Sequence, residues 1–105
     1  MIRIRFFQQN DRLCGITLSG HAGFAAEGKD IVCASVSSAV QLTANTLTEI
    51  FHINADISVC ENSISIKLSD SSPIEGVKIL EGLRLHSELL KDDYPEFIQI
   101  THTEV

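Results

Sequence analysis

The chain predicts an α/β domain of the α+β sandwich kind, ordered β-β-α-β-β-α-β, with one sheet and two helices on one face. Three observations predict it. Period-two alternation of apolar residues occurs in two adjacent pairs of short segments and once more near the C-terminal end. Between these lie two longer stretches with apolar residues at helical spacing, each opened by a capping signal. The length, 105 residues, suits one modest core and is too short for two, so residues 1–105 form a single domain.

Ile2-Arg3-Ile4-Arg5-Phe6 alternates apolar and basic residues and reads as a half-buried strand. Asn10-Asp11 marks a turn, after which Cys14, Ile16 and Leu18 alternate with Gly15, Thr17 and Ser19. This is the second strand of a hairpin, with Cys14 on its apolar, core-facing side. Gly20 to Lys29 is a loop rich in Gly and Ala. The first helix runs from about Ile31 to about Phe51, with Asp30 as N-cap and a buried stripe through Val32, Val36, Val40 or Ala39, Thr43, Leu47 and Ile50.

A second hairpin follows, residues 56–60 and 63–68 around Glu61-Asn62, with Ile57, Val59, Ile64, Ile66 and Leu68 as its apolar face. Ser72-Pro73-Ile74-Glu75 opens the second helix: serine as N-cap, proline first, glutamate third. It extends to about Lys91 with Val77, Leu80, Leu83 and Leu90 inward, until Asp92-Asp93-Tyr94-Pro95 breaks it. Residues 97–103 form the last strand.

Composition excludes several classes of function. The chain is 44% hydrophobic and 21% charged with no biased tract, and it contains no apolar run as long as the roughly 20 residues of a membrane span. Nothing at its start resembles a signal peptide, so a cytoplasmic location is expected. Cys14, Cys33 and Cys60 are an odd count without a CxxC pair, which disfavours a disulfide framework or a zinc knuckle. A net charge of −6 argues against a nucleic-acid partner and suits either plain solubility or a basic one. No phosphate loop or dinucleotide fingerprint is present, and no cofactor is expected.

The chemistry concentrates between Gly20 and Thr48. Cys33 falls in the first turn of the predicted helix, where backbone N–H groups and the dipole favour an anion; the alternative is a packing cysteine. His21 lies twelve positions earlier and is either a surface loop residue or the general base for that thiol. Asp30 caps the helix or orients the imidazole. Ser37, one turn after Cys33, hydrogen-bonds near it or keeps the helix slim. Gly20, Gly23 and Gly28 are hinges of a loop gate or simply turns. A zinc site of His21, Asp30 and Cys33 lacks an evident fourth ligand, so no metal is expected. His52, His86 and His102 have no comparable partners and are read as structural.

Gly20-His21-Ala22, the glycine-bearing loop, Gly28-Lys29-Asp30-Ile31-Val32-Cys33-Ala34 and Val36-Ser37 together resemble the ribosomal-processing cysteine protease family (Prp, or YsxB-like). The likeness runs over nearly the whole chain in length and element order. It implies a small α/β protein, commonly a homodimer, whose partner is the N-terminal peptide of a ribosomal large-subunit protein. That protein is number twenty-seven, and its short extension is cut off after a pair of aromatic residues. The resemblance makes His21 and Cys33 the catalytic dyad; Ser35 stands where the family commonly has alanine. A thiolate of Cys33 would then attack the scissile carbonyl, and the oxyanion would rest on the amides of Cys33 and Ala34. The rival expectation is a non-catalytic ribosome-assembly or peptide-binding factor with an inert Cys33.

Overall fold

The computed structural model of the chain describes residues 1–20 and 30–105. Its elements are β1 (Ile2–Gln9), β2 (Arg12–Ser19), α1 (Ile31–Asn45), β3 (Ala55–Cys60), β4 (Ser63–Leu68), α2 (Ile74–Asp93) and β5 (Ile98–Glu104). The expected order is the observed one. A single mixed sheet of order β3-β4-β2-β1-β5 carries the fold. All neighbours are antiparallel except β1 and β5, which are parallel.

Both hairpins are local. Asn10 and Asp11 have φ of 53° and 63°, the doubly left-handed pair of a two-residue turn whose twist matches the strands it joins. Residues aligned across the sheet then share a face: Phe6 pairs with Ile16, Ile16 with Ile66, and Ile66 with Ile57. On that face Ile2, Ile4, Phe6, Ile16, Leu18, Ile66, Leu68 and Ile98 are buried in one cluster with Val32, Val36 and Val40 of α1 and Leu80 and Leu83 of α2. Arg3 and Arg5 point the other way and are exposed. Both helices therefore cover one face, and the core lies between that layer and the sheet.

Four details differ from the sequence expectation. Cys14 is not in the core: pairing slips between Phe7 and Gln8, so that Phe7 faces Gly15 and Gln8 faces Leu13. The extra residue in this bulge is Cys14, whose thiol donates to the Phe7 carbonyl at 3.5 Å while Leu13 takes the buried place. Ile57 and Val59 are exposed, because β3 is an edge strand beyond the reach of the helices. Ser72 does not cap α2. The N-cap is Pro73, with no side-chain cap hydrogen bond, and the Ser72 hydroxyl lies 3.2 Å from that of Ser69.

The end of α1 is the fourth. The helix widens into a π-helical turn, Thr46–Ile50, where the Phe51 N–H donates to the Thr46 carbonyl, and Ile50, expected in the buried stripe, is turned out to solvent. Thr43, Thr46 and Thr48 each donate a hydroxyl to the carbonyl four residues back, a contact that loosens helical geometry.

Candidate active site

Cys33 lies in the first turn of α1, half-buried and packed against the core. The helix starts there because Asp30, itself buried, turns its carboxylate onto the first turn: Oδ1 accepts the N–H of Val32 at 3.0 Å and of Cys33 at 3.1 Å. Two donors that a helix start leaves without partners are thereby satisfied. The Ala34 N–H donates to the Asp30 carbonyl at 3.0 Å. Neither amide expected to hold an oxyanion is open as it stands, and the negative charge of Asp30 sits on the amides that would otherwise draw an anion.

Cys33 and Ser37 line a cavity of about 190 Å3. Its far side is made by Ser19 and Gly20 at the end of β2 and by Val59, Cys60 and Ile64 of the second hairpin. The antiparallel pairing of β2 with β4 brings these together, setting Ser19 opposite Ser63, and the Gly20 N–H donates to the Asn62 carbonyl at 3.2 Å. Gly20 has φ of 85°, and a side chain there would run into the carbonyl oxygen of Met1. Only glycine fits this corner without strain.

The structure thus puts Cys33, Ser37 and Gly20 around one cavity, with Asp30 and Ala34 in the helix turn beside it. His21, Gly23 and Gly28 lie outside the described residues, so the Cys-His pairing and the loop gate expected from them stay expectations. Neither His52, His86 nor His102 lines this cavity. His102 instead stacks on Phe6, with ring centroids 5.7 Å apart. Among the described residues no group of His, Cys, Asp and Glu side chains could hold a metal ion. No helix among them is long and apolar enough to cross a membrane.

Sequence reasoning gave Cys60 no role, yet this exposed thiol borders the same cavity as Cys33. The pairing that brings it there joins strands more than forty residues apart, and no local signal announces it. Cys14 is remote from the cavity, and burial pushes its thiol up, with nearby Lys67 opposing.

A family model described as Cysteine protease Prp matches residues 1–99. The chain belongs to that family. No curated protein shows a significant match. Solved structures of similar fold include the ribosomal processing protease Prp from S. aureus with a covalently linked product peptide. It is 22% identical over 97% of this chain and 99% of that one, with a TM-score of 0.90. The same protease in complex with a substrate peptide superposes with a TM-score of 0.86 at 21% identity, over 97% and 99% of the two chains. SMU.848 from Streptococcus mutans is 25% identical over 100% of this chain and 96% of that one, with a TM-score of 0.81. The Prp fold covers 97% of the chain, and Cys33 is the half-buried thiol at the cavity. This is a cysteine protease.

Proposed function

We propose that the chain is an endopeptidase that removes the N-terminal extension of ribosomal large-subunit protein twenty-seven, with Cys33 as nucleophile and His21 as its base. The observation that carries this reading is the place of Cys33: half-buried in the first turn of α1 and bordering a cavity whose other wall is the end of β2. His21 follows Gly20 directly in sequence, and Gly20 lines that cavity. The S. aureus relative holding a covalently linked product peptide supports chemistry of this kind.

The steps follow from the residue types. The Cys33 thiol gives its proton to the His21 imidazole, and the sulfur adds to the scissile carbonyl carbon. The carbon–nitrogen bond then breaks, and the imidazolium returns its proton to the leaving amine. Water adds to the thioester, giving one proton through His21 to the departing Cys33 sulfur and leaving the product carboxylic acid. The Cys33 N–H can serve the oxyanion only by exchanging Asp30 Oδ1 for the substrate oxygen, which would tie attack to a small shift of the helix cap. Ser37 borders the nucleophile as a supporting group.

A net charge of −6 favours encounter with a basic ribosomal protein. We read the protein as a cytoplasmic homodimer, as its family commonly is. The exposed Leu42, Leu85 and Leu89 give its helical layer apolar surface for a second copy, which analytical ultracentrifugation would detect. The deciding experiment incubates the protein with the extended ribosomal protein. Cleavage after the aromatic pair, abolished by Cys33→Ala, is the expected result; no cleavage of it would refute the reading.

A further inference from the structure

A net charge of −6 does not describe how charge is spread over the surface. Both helices cover one face of the sheet, so the other face is open, and strand pairing sets its side chains in rows. Arg3 stands between Gln99 of β5 and Ser19 of β2, and Arg5 between Thr101 and Thr17. Both arginines are exposed, and neither has a carboxylate partner among the described residues, whose ion pairs belong to Arg84. The next row runs from Phe7 through Gly15 to Lys67 and ends on Asp56 at the edge strand. Asp56 is the one carboxylate in these rows. An acidic protein thus carries one face on which cations prevail.

The third row also holds a slot. Gly15 leaves a gap between the side chains of Phe7 and Lys67, and nothing larger fits: a Cβ there would lie 2.8 Å from the Ile66 carbonyl oxygen. The gap belongs to a cavity of about 340 Å3, rimmed by Thr17, Ser65 and Val105, within the roughly 300–1,000 Å3 of small-ligand sites. Phe7, half-buried, forms one wall. An aromatic wall over a backbone floor suits a flat ring, and aromatic side chains on an open sheet are platforms for unpaired bases. Arg5 and Arg3 follow Phe7 at alternate positions of β1, about 7 Å from each other. That spacing is comparable with the separation of successive phosphates, which the arginine fork binds through paired hydrogen bonds. The hydroxyls of Thr17, Ser19 and Ser65 beside them suit phosphate oxygens and the ribose 2′-OH. An acidic peptide would use the cations but leave the ring slot without a role.

We propose that single-stranded RNA lies along β1 on this open face, with one base against Phe7 above Gly15 and its phosphates on Arg5, Arg3 and Lys67. The site is separate from the chemistry at Cys33, which sits in α1 on the other side of the sheet. A whole-chain charge that disfavours nucleic acid leaves room for contact through this face alone, and it keeps that contact weak.

Fluorescence anisotropy of a labelled RNA of about eight nucleotides, titrated with the full chain in about 0.1 M salt, tests this. A Kd on the order of 100 μM is expected, with log K falling against log salt at a slope of about −2, as three cations on a single strand require. Arg3→Glu and Arg5→Glu should each weaken binding about tenfold. Lys78→Glu, on α2 in the helical layer, makes the same change in net charge and should stay within about twofold, because charges are screened beyond about 10 Å in this salt. Phe7→Leu keeps an apolar side chain but removes the stacking face, and should weaken binding about fivefold. A deoxyribose copy should bind several-fold more weakly. The proposal is overturned by no binding, or by a loss from Lys78→Glu equal to that from the arginine variants. It is equally overturned if the deoxyribose copy, or an acidic peptide of the same charge, binds as tightly as the RNA. Should Phe7→Leu not fold, an abasic strand of the same length replaces it, and unchanged affinity for that strand overturns the proposal as well.

Discussion

Asp30 Oδ1 accepts the backbone N–H of Cys33 at 3.1 Å, so the cap that starts α1 also fixes the backbone of its candidate nucleophile. Asp30→Ala removes the acceptor for both Val32 and Cys33. It should cost about 1 kcal/mol, or roughly 4–8 °C in Tm for a domain of this size. Asp30→Asn keeps a capping oxygen and should lie within a few tenths of a kcal/mol of the parent. Thermal melts of the two variants check this; equal losses would show that charge, not the hydrogen bond, holds the turn.

Gly20→Ala should destabilise by more than about 1 kcal/mol, because the residue has φ of 85° and its new methyl would meet the Met1 carbonyl. The same change displaces one wall of the Cys33 cavity and should lower kcat/KM as well. A urea titration and a peptide-cleavage assay measure the two effects. Unchanged stability would mean that this corner is free to relax.

The three thiols should separate in rate. Cys33 should alkylate fastest near neutral pH if it is paired with a base, with exposed Cys60 second. Cys14 should be slowest. Burial raises its thiol, so its reactive thiolate appears only as pH climbs above the ordinary cysteine range, and its S–H is already donated to Phe7. Mass-spectrometric mapping after brief iodoacetamide treatment at several pH values gives the order. Labelling of Cys60 ahead of Cys33 at pH 7 would count against an activated nucleophile.

Cys33→Ala and Cys33→Ser should abolish cleavage while costing about 1 kcal/mol or less, since the side chain is half-buried and both replacements are small. Serine keeps an oxygen but almost no alkoxide near neutral pH. His21→Ala should remove activity too, by taking away the proton carrier. Peptide binding, followed by fluorescence anisotropy, should persist in all three. Near-parental cleavage by Cys33→Ser would place the nucleophile elsewhere.

What the sequence determined by itself is what local spacing encodes. Alternation placed β1, the Asn10-Asp11 pair placed the first turn, and Asp30 before an apolar helical stripe placed the start of α1 beside Cys33. The motif around His21 and Cys33 was enough to suggest the family that the chain belongs to. Tertiary structure decided the rest, because it depends on which elements become neighbours. Leu13 replaced Cys14 in the core through a one-residue bulge against β1, a slip that period-two counting cannot register. Ile57 and Val59 were left in solvent because β3 fell at the sheet edge, although their alternation looks the same as that of a covered strand. Cys60 reached the Cys33 cavity through the pairing of β2 with β4, whose long closing loop no local pattern reports.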